Sequence, residues 1–337
     1  MKRREFLIGS AAIISYLLSG CVSFKKREVS REISKEKEWK PLKGKSKVYI
    51  IKTENRKKGI KELLQKFDLK KLEEKKVALK ANYNSADAFP ATTHIDTLAA
   101  IVDELLNVNA NIILAERSGM GYTDKVLEKM GVIDLARQKR FDVVALDNYN
   151  GWIRHKPEGS HWRNGYLFAD VFANADAIIQ TCCLKTHRFG GHFTMSLKNS
   201  VGMVARYENG YDYMAELHGP HQRKMIAEIN TSYQPYVVIM DAIKGFSHEG
   251  PEKGTLISPR LILASRDRVA IDAAGVAILR IYGTTPKVSR GSVFEQEQIA
   301  RAVELGLGAA SPEDIDIIPL NEEAEEMCIE IETELQA

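Results

Sequence analysis

The densest chemistry in the chain lies at residues 180–199, Gln-Thr-Cys-Cys-Leu-Lys-Thr-His-Arg-Phe-Gly-Gly-His-Phe-Thr-Met-Ser-Leu-Lys-Asn. Lys185, His187, His192, Lys198 and Asn199 follow an apparent strand and are interrupted by Gly190-Gly191. Paired glycines let a backbone approach a ligand or take positive φ. Lysines in such a segment can hold an anion, while imidazoles can bind a metal or move protons. His187 and His192 are five apart and lack the one-turn register of a helical zinc motif. A pair of hydrogen-bonding surface histidines is therefore an equal reading. Cys182-Cys183 cannot easily close a disulfide between neighbours and lacks C-x-x-C spacing. Buried structural thiols are expected, one pointing into the core and the other away.

Three further polar segments follow apolar runs. Residues 80–84 read Lys-Ala-Asn-Tyr-Asn, and residues 116–123 contain Ser118-Gly119-Met120-Gly121 between a strand and a helix. An anion-binding loop sits in that position, although the segment matches neither G-x-G-x-x-G nor a P-loop. Residues 241–245 begin with Asp241. His218-Gly-Pro-His221 places two histidines about a turn that could bring them to one site. The expected roles follow from residue type. Lys80, Lys185 and Lys198 would bind an anionic group, and Lys80, Lys185 and His187 would be the catalytic set. His187, His192 and Asp241 would be metal ligands, with the histidines alternatively serving as acid–base groups. Asn82, Asn84 and Asn199, with Ser118 and Gly119, would orient the ligand. No G-x-S-x-G elbow or H-E-x-x-H helix is present.

These segments need a scaffold, and the hydrophobic pattern supplies one. Short apolar runs at 48–51, 77–79, 111–115, 141–146, 177–179, 237–240 and 261–263 read as strands. Helical spacing intervenes at 60–67, 98–106, 268–282 and 298–305. Thr93 with Asp96 three residues on reads as a helix N-cap, and Thr123 as another. Alternation of this kind implies a three-layer α/β fold, a parallel or mixed sheet flanked by helices, in one sheet or two lobes. Ligands in such folds bind beyond the carboxyl ends of the strands, where the four polar segments would lie.

The 337 residues are 44% hydrophobic and 28% charged, an ordinary globular composition that excludes a polytopic membrane protein. The net charge of +3 hides a split. Residues 1–80 carry +14 and residues 81–337 carry −11. A basic nucleic-acid-binding body is excluded by that distribution. Residues 1–20 combine Lys2-Arg3-Arg4, a short apolar run and Ser19-Gly20 before Cys21. That is a signal-peptide pattern resembling a twin-arginine leader, and Leu18-Ser-Gly-Cys21 resembles a lipobox with Cys21 lipidated. Residues 21–46 would be a basic tether, 47–320 the α/β body and 321–337 an acidic tail. The four cysteines include Cys21 and the distant Cys328, so no iron–sulfur ligand set is available.

Lys80-Ala-Asn-Tyr-Asn84, Ala115-Glu-Arg-Ser-Gly119, Cys183-Leu-Lys-Thr-His187, Ser196-Leu-Lys-Asn199 and Met240-Asp241 resemble the family called domain of unknown function 362. The resemblance spans residues 47–310 and implies no settled reaction. Some members of that family carry a ferredoxin-like iron–sulfur domain, which this chain lacks, so redox chemistry would need a partner protein. A more distant likeness, at the level of strand-end Lys and His loops, is to the nickel-pincer lactate racemase family. The expectation is an exported, lipid-anchored enzyme using a metal or redox cofactor on a small anionic substrate. Its partners would be membrane lipid, the anionic ligand and a redox protein, with no nucleic acid. Two alternatives are a non-catalytic anion-binding lipoprotein and an interaction partner of a membrane redox complex.

Overall fold

The computed structural model describes residues 44–190 and 192–337. The expected leader, Cys21 and most of the expected basic tether lie outside the described residues. The body is built on one mixed sheet of ten strands rather than two lobes. Along its main path the order is Ile315–Pro319, Ser46–Lys52, Leu261–Ser265, Val237–Glu249, Ala177–His187, Lys76–Lys80, Asn111–Glu116 and Asp142–Ala145. Along this path every pairing is parallel except those of Leu261–Ser265, which runs against both of its neighbours.

Alternation along the strands decides what each face buries. Val77 and Leu79 join Leu114, Ile179, Ile239 and Ile262 beneath the helices Arg56–Leu64, Ile95–Leu106 and Val132–Lys139. Ala78, Ile178, Val238, Met240 and Leu263 face the other way, toward Arg268–Ile281 and its neighbours. Because helices cover both faces, the strands read as near-continuous apolar runs. The cysteines are buried as expected, but the geometry corrects the expectation that one of them points away from a core. Cys182 and Cys183 do point to opposite faces, but both are buried, since neither face meets water.

Four local differences from the sequence expectation stand out, the first three of them near the site. The central strand does not stop at residue 179 but continues to His187, so Lys185 and His187 project from regular strand rather than from a loop. Thr93 is not the helix cap. His94 accepts from Asp96 N at 3.1 Å, while Thr93 Oγ1 accepts from Asn82 N at 2.9 Å and Thr93 N donates to Asn82 O. That reciprocal clamp fixes the Lys80–Asn84 segment. Thr123 likewise spends its hydroxyl on Ser118 N at 2.8 Å. Residues 321–337 contain the helix Glu325–Gln336, which buries Met327, Cys328, Ile331 and Leu335 against the body.

Candidate functional site

A cavity of about 450 Å³ opens where the strands Lys76–Lys80, Asn111–Glu116 and Ala177–His187 end, roofed by residues from 194–218. Five cationic side chains line it, Lys80, Arg117, Lys185, Lys198 and Arg206, against the carboxylates Glu116 and Asp212. Asn82, Asn84, Gly119, His187 and Asn199 are also in its wall. The structure thus brings together, at one cavity, eight residues given a role in the sequence reading, together with His218.

One wall is fully bonded. Lys80 Nζ lies 2.6 Å from Glu116 Oε1 and donates to Asn199 Oδ1 at 3.0 Å. Asn199 Nδ2 in turn donates to Thr181 O at 2.9 Å. Glu116 also accepts from the backbone N–H groups of Tyr83 and Arg117, at 3.1 and 3.0 Å. Burial pushes the Lys80 amine down and the Glu116 carboxyl up, and each opposes the other's shift through its charge. Gly202 packs on this pair so closely that an added Cβ would lie 2.6 Å from both Glu116 Oε1 and Lys80 Cε. Lys185 Nζ donates to Asn82 Oδ1 at 2.7 Å and to Ala91 O, tying the strand end to the clamped loop. Arg117 spends its guanidinium on Val204 O and Val201 O, both at 2.7 Å, and so fastens the roof. Asn84 Oδ1 accepts from Gly119 N at 3.1 Å.

The facing wall is sparsely bonded among the described residues. Lys198 stands on the short helix Ser196–Asn199, whose first N–H groups donate to the buried Asp272 carboxylate at 2.7 and 2.9 Å. Among the described residues its amine has neither an ion-pair partner nor a hydrogen bond. Burial, with the positive charges of Lys185 and Arg117, brings Lys198 down to about 8. His187 is buried and its Nδ1 has no hydrogen-bond partner among the described residues. Burial first, then the charges of Lys198 and Lys185, hold His187 down at about 2, so the imidazole is neutral in the ligand-free protein.

The remaining sequence candidates go elsewhere. Asp241 is buried toward the helices Arg56–Leu64 and Ile95–Leu106. Its Oδ2 accepts from Arg56 Nε at 2.8 Å and Thr97 Oγ1 at 2.6 Å, so it joins helices to sheet. His192 pairs across a two-residue ladder with His187 yet does not line the cavity. Burial and the neighbouring Arg223 and Lys287 lower it to about 4. Ser118 lies behind the wall and donates its hydroxyl to Tyr83 O at 2.7 Å. His218 lines the cavity, whereas His221 turns away and packs its ring 4.8 Å from that of His161. The expected metal set His187, His192 and Asp241 is therefore not assembled. Among the described residues no group of three or more His, Cys, Asp or Glu is placed to hold a metal ion. A metal ion bound by side chains alone does not fit a wall of this charge.

Glu116, Arg117, Arg206 and Asp212 carry no role in the sequence reading. A polar Glu-Arg pair closing the apolar run 111–115 was the available signal for the first two. Arg206 and Asp212 lie in a segment without periodicity, and only the fold brings them to the cavity.

The fold and cavity define an α/β protein, covered on both faces, with a basic pocket at its strand ends. The chain belongs to the family described as Domain of unknown function (DUF362), whose model matches residues 77–277. That span includes every cavity-lining residue named above. No curated protein matches the sequence. Among solved structures, the lactate racemase apoprotein from Thermoanaerobacterium thermosaccharolyticum is similar at a TM-score of 0.40 and 12% identity, covering 87% of this chain and 86% of that one. No residue is transferred from so distant a likeness.

Proposed function

We propose that the protein is an enzyme that binds a small anionic substrate in the strand-end cavity and moves a proton on it. One observation carries this reading. The cavity concentrates positive charge, and one wall leaves an amine, Lys198, and a buried imidazole nitrogen, His187 Nδ1, without hydrogen-bond partners among the described residues. Lys80, Lys185 and Arg117 supply a fixed field, because their bonds hold them still. Arg206, at the exposed rim, is free to meet the incoming anion. His187 Nδ1 accepts a hydrogen from the substrate. An anion in the cavity offsets the charges of Lys185 and Lys198, two of the causes that keep His187 neutral, and so raises its hold on a proton.

A metal or redox cofactor enters this proposal only as an anionic molecule held by the same cations. Elemental analysis and an absorption spectrum, on protein made with its own leader, test that part. Export and anchoring through Cys21 complete the proposal, and a Cys21→Ser chain that stays in the soluble fraction would support it. The central test is anion binding by thermal shift and calorimetry at low ionic strength, with phosphate and a panel of small carboxylates. The wild type should be stabilised by at least one of them, and the Lys198→Gln and Arg206→Gln variants markedly less. Solvent deuterium incorporated into a bound acid, and lost in His187→Gln, would support proton transfer. Binding without turnover would favour the non-catalytic anion-binding alternative, and no anion binding at all would overturn the reading.

A further inference from the structure

We infer that Lys198 is a nucleophilic amine that condenses with the carbonyl group of an anionic oxo compound, a 2-oxo acid or an anionic aldehyde, to form a Schiff base. The inference rests on the cavity being an anion site and goes further by naming the substrate's reactive group.

Three lysines line the cavity, and their bonding differs. Lys80 has acceptors in Glu116, Asn199 and Ala81, and Lys185 has Asn82 and Ala91. Lys198 has none among the described residues. Its helix is pinned by Asp272, which fixes the backbone that carries the amine and leaves the amine's own charge uncompensated. The two carboxylates of the lining are committed elsewhere. Glu116 belongs to Lys80, and Asp212 accepts from Met214 N and Ala215 N at 2.8 and 3.1 Å. The charged or titratable groups around Lys198 in the lining are thus Lys185, Arg117, Arg206 and neutral His187, together with His218. A desolvated lysine beside other cations yields its proton readily, and the free amine is the nucleophile. Lys198 at about 8 agrees with that environment.

The chemistry balances without an oxidant or reductant. The neutral amine attacks the carbonyl carbon, a C–N bond forms, and the C=O π electrons become an oxyanion that takes a proton from solvent, so that the imine finally formed is protonated. The nitrogen of the resulting carbinolamine loses a proton, which His187 Nδ1 is placed to accept and return to the departing hydroxyl. Water leaves, and the nitrogen lone pair closes the C=N bond. Fixed cations around the cavity hold the carboxylate or phosphate that accompanies the carbonyl.

The test uses glyoxylate, a small anionic aldehyde, with sodium cyanoborohydride on the full-length protein, followed by peptide mapping. Reduction of the imine leaves a carboxymethyl group on the modified lysine. Lys198 should be labelled about three hundredfold faster near neutral pH than an exposed lysine, in proportion to its neutral-amine fraction. Phosphate should protect it, and the rate should rise as pH passes through about 8. The Lys198→Arg variant should still be stabilised by phosphate yet take no label in that peptide. If that variant does not fold, mapping and phosphate protection in the wild type decide alone. Label spread evenly over surface lysines, in a protein that phosphate does stabilise, overturns the Schiff base and leaves the anion cavity standing. Failure of every anion to stabilise the wild type overturns the cavity reading itself.

Discussion

Lys80 and Lys198 face the same cavity, yet the protein treats them in opposite ways. Lys80 is buried with a carboxylate 2.6 Å away and further acceptors in Asn199 and Ala81. Lys198 stands on a helix pinned by Asp272 in the same field and has no bonded partner among the described residues. A buried charge is tolerated when paired and hydrogen-bonded, and is costly when not. The paired lysine is therefore framework, closing the sheet end and carrying a fixed charge. The unpaired one carries a cost that a bound anion would relieve, which marks the side of the cavity where a ligand belongs.

The strongest way to break that comparison is to remove each amine in turn. Lys80→Met leaves Glu116 buried without its partner, and a loss of about 3–5 kcal/mol is expected. Lys198→Met removes a half-buried cation with no bonded partner among the described residues, so stability should stay level or rise. Urea unfolding of the two variants at pH 7 reads the difference directly. Equal losses would mean that both lysines are structural.

Gly202 sharpens the same contrast with a smaller change. An added Cβ would sit 2.6 Å from Glu116 Oε1 and from Lys80 Cε, inside a wall with no slack. Gly202→Ala should cost about 1–3 kcal/mol through overpacking. Gly219 lies near the other side, where an added Cβ comes no closer than 3.0 Å to Glu216 O. Gly219→Ala should cost clearly less in the same denaturation assay.

Much of this arrangement was legible in the sequence, for reasons that can be named. Strands covered on both faces are apolar runs, so 77–79, 111–115 and 237–240 announced themselves, and the polar residues ending them marked the cavity. The segment at 180–187 was harder. Lys185 and His187 are buried at a strand end, and such residues look like loop in a hydrophobicity count. Asp241 misled because an aspartate beside a buried strand suits a ligand and an anchor equally. Only the position of Arg56, 185 residues earlier in the chain, tells them apart. Thr93 misled because two adjacent residues, Thr93 and His94, can each cap a helix, and the clamp on Asn82 decides between them. The C-terminal helix was hidden by composition. Its Met327, Cys328, Ile331 and Leu335 recur at helical spacing, but the surrounding glutamates read as a solvated tail.

Stability against pH tests the unbonded wall without any ligand. Lys198 in the folded protein titrates near 8, below the ordinary lysine value of 10.5. Between those two values the unfolded chain binds more protons than the folded one, so this group makes stability rise with pH across about 8 to 10.5. His187 is lowered from 6.5 to about 2, and by the same sign it makes stability fall as pH drops through that window. Asp272, raised to about 7, acts in the opposite direction between 3.8 and 7. Each group contributes a slope of at most about 1.4 kcal/mol per pH unit. Difference curves isolate them. Wild type minus Lys198→Met should slope on the alkaline side, with a smaller acid-side slope because the Lys198 charge helps lower His187, and wild type minus His187→Gln should slope on the acid side.

The smallest expected effect concerns the sheet beneath the cavity rather than its walls. Cys182 and Cys183 lie on opposite faces of the strand that delivers Lys185 and His187, and burial pushes the Cys183 thiol up to about 12. Cys328, buried under the C-terminal helix, is raised to about 12 as well. Thiolate is the reactive form, so neither local charge nor access favours reaction at these sites. A colorimetric disulfide reagent should find none of the three in the native protein and all three in denaturant. Slow labelling of Cys328 alone would show the C-terminal helix lifting off locally, and would leave the cavity comparison intact. Labelling of Cys182 or Cys183 under native conditions would mean that the central strand opens, and the rigid placement on which Lys198 and His187 depend would fall with it.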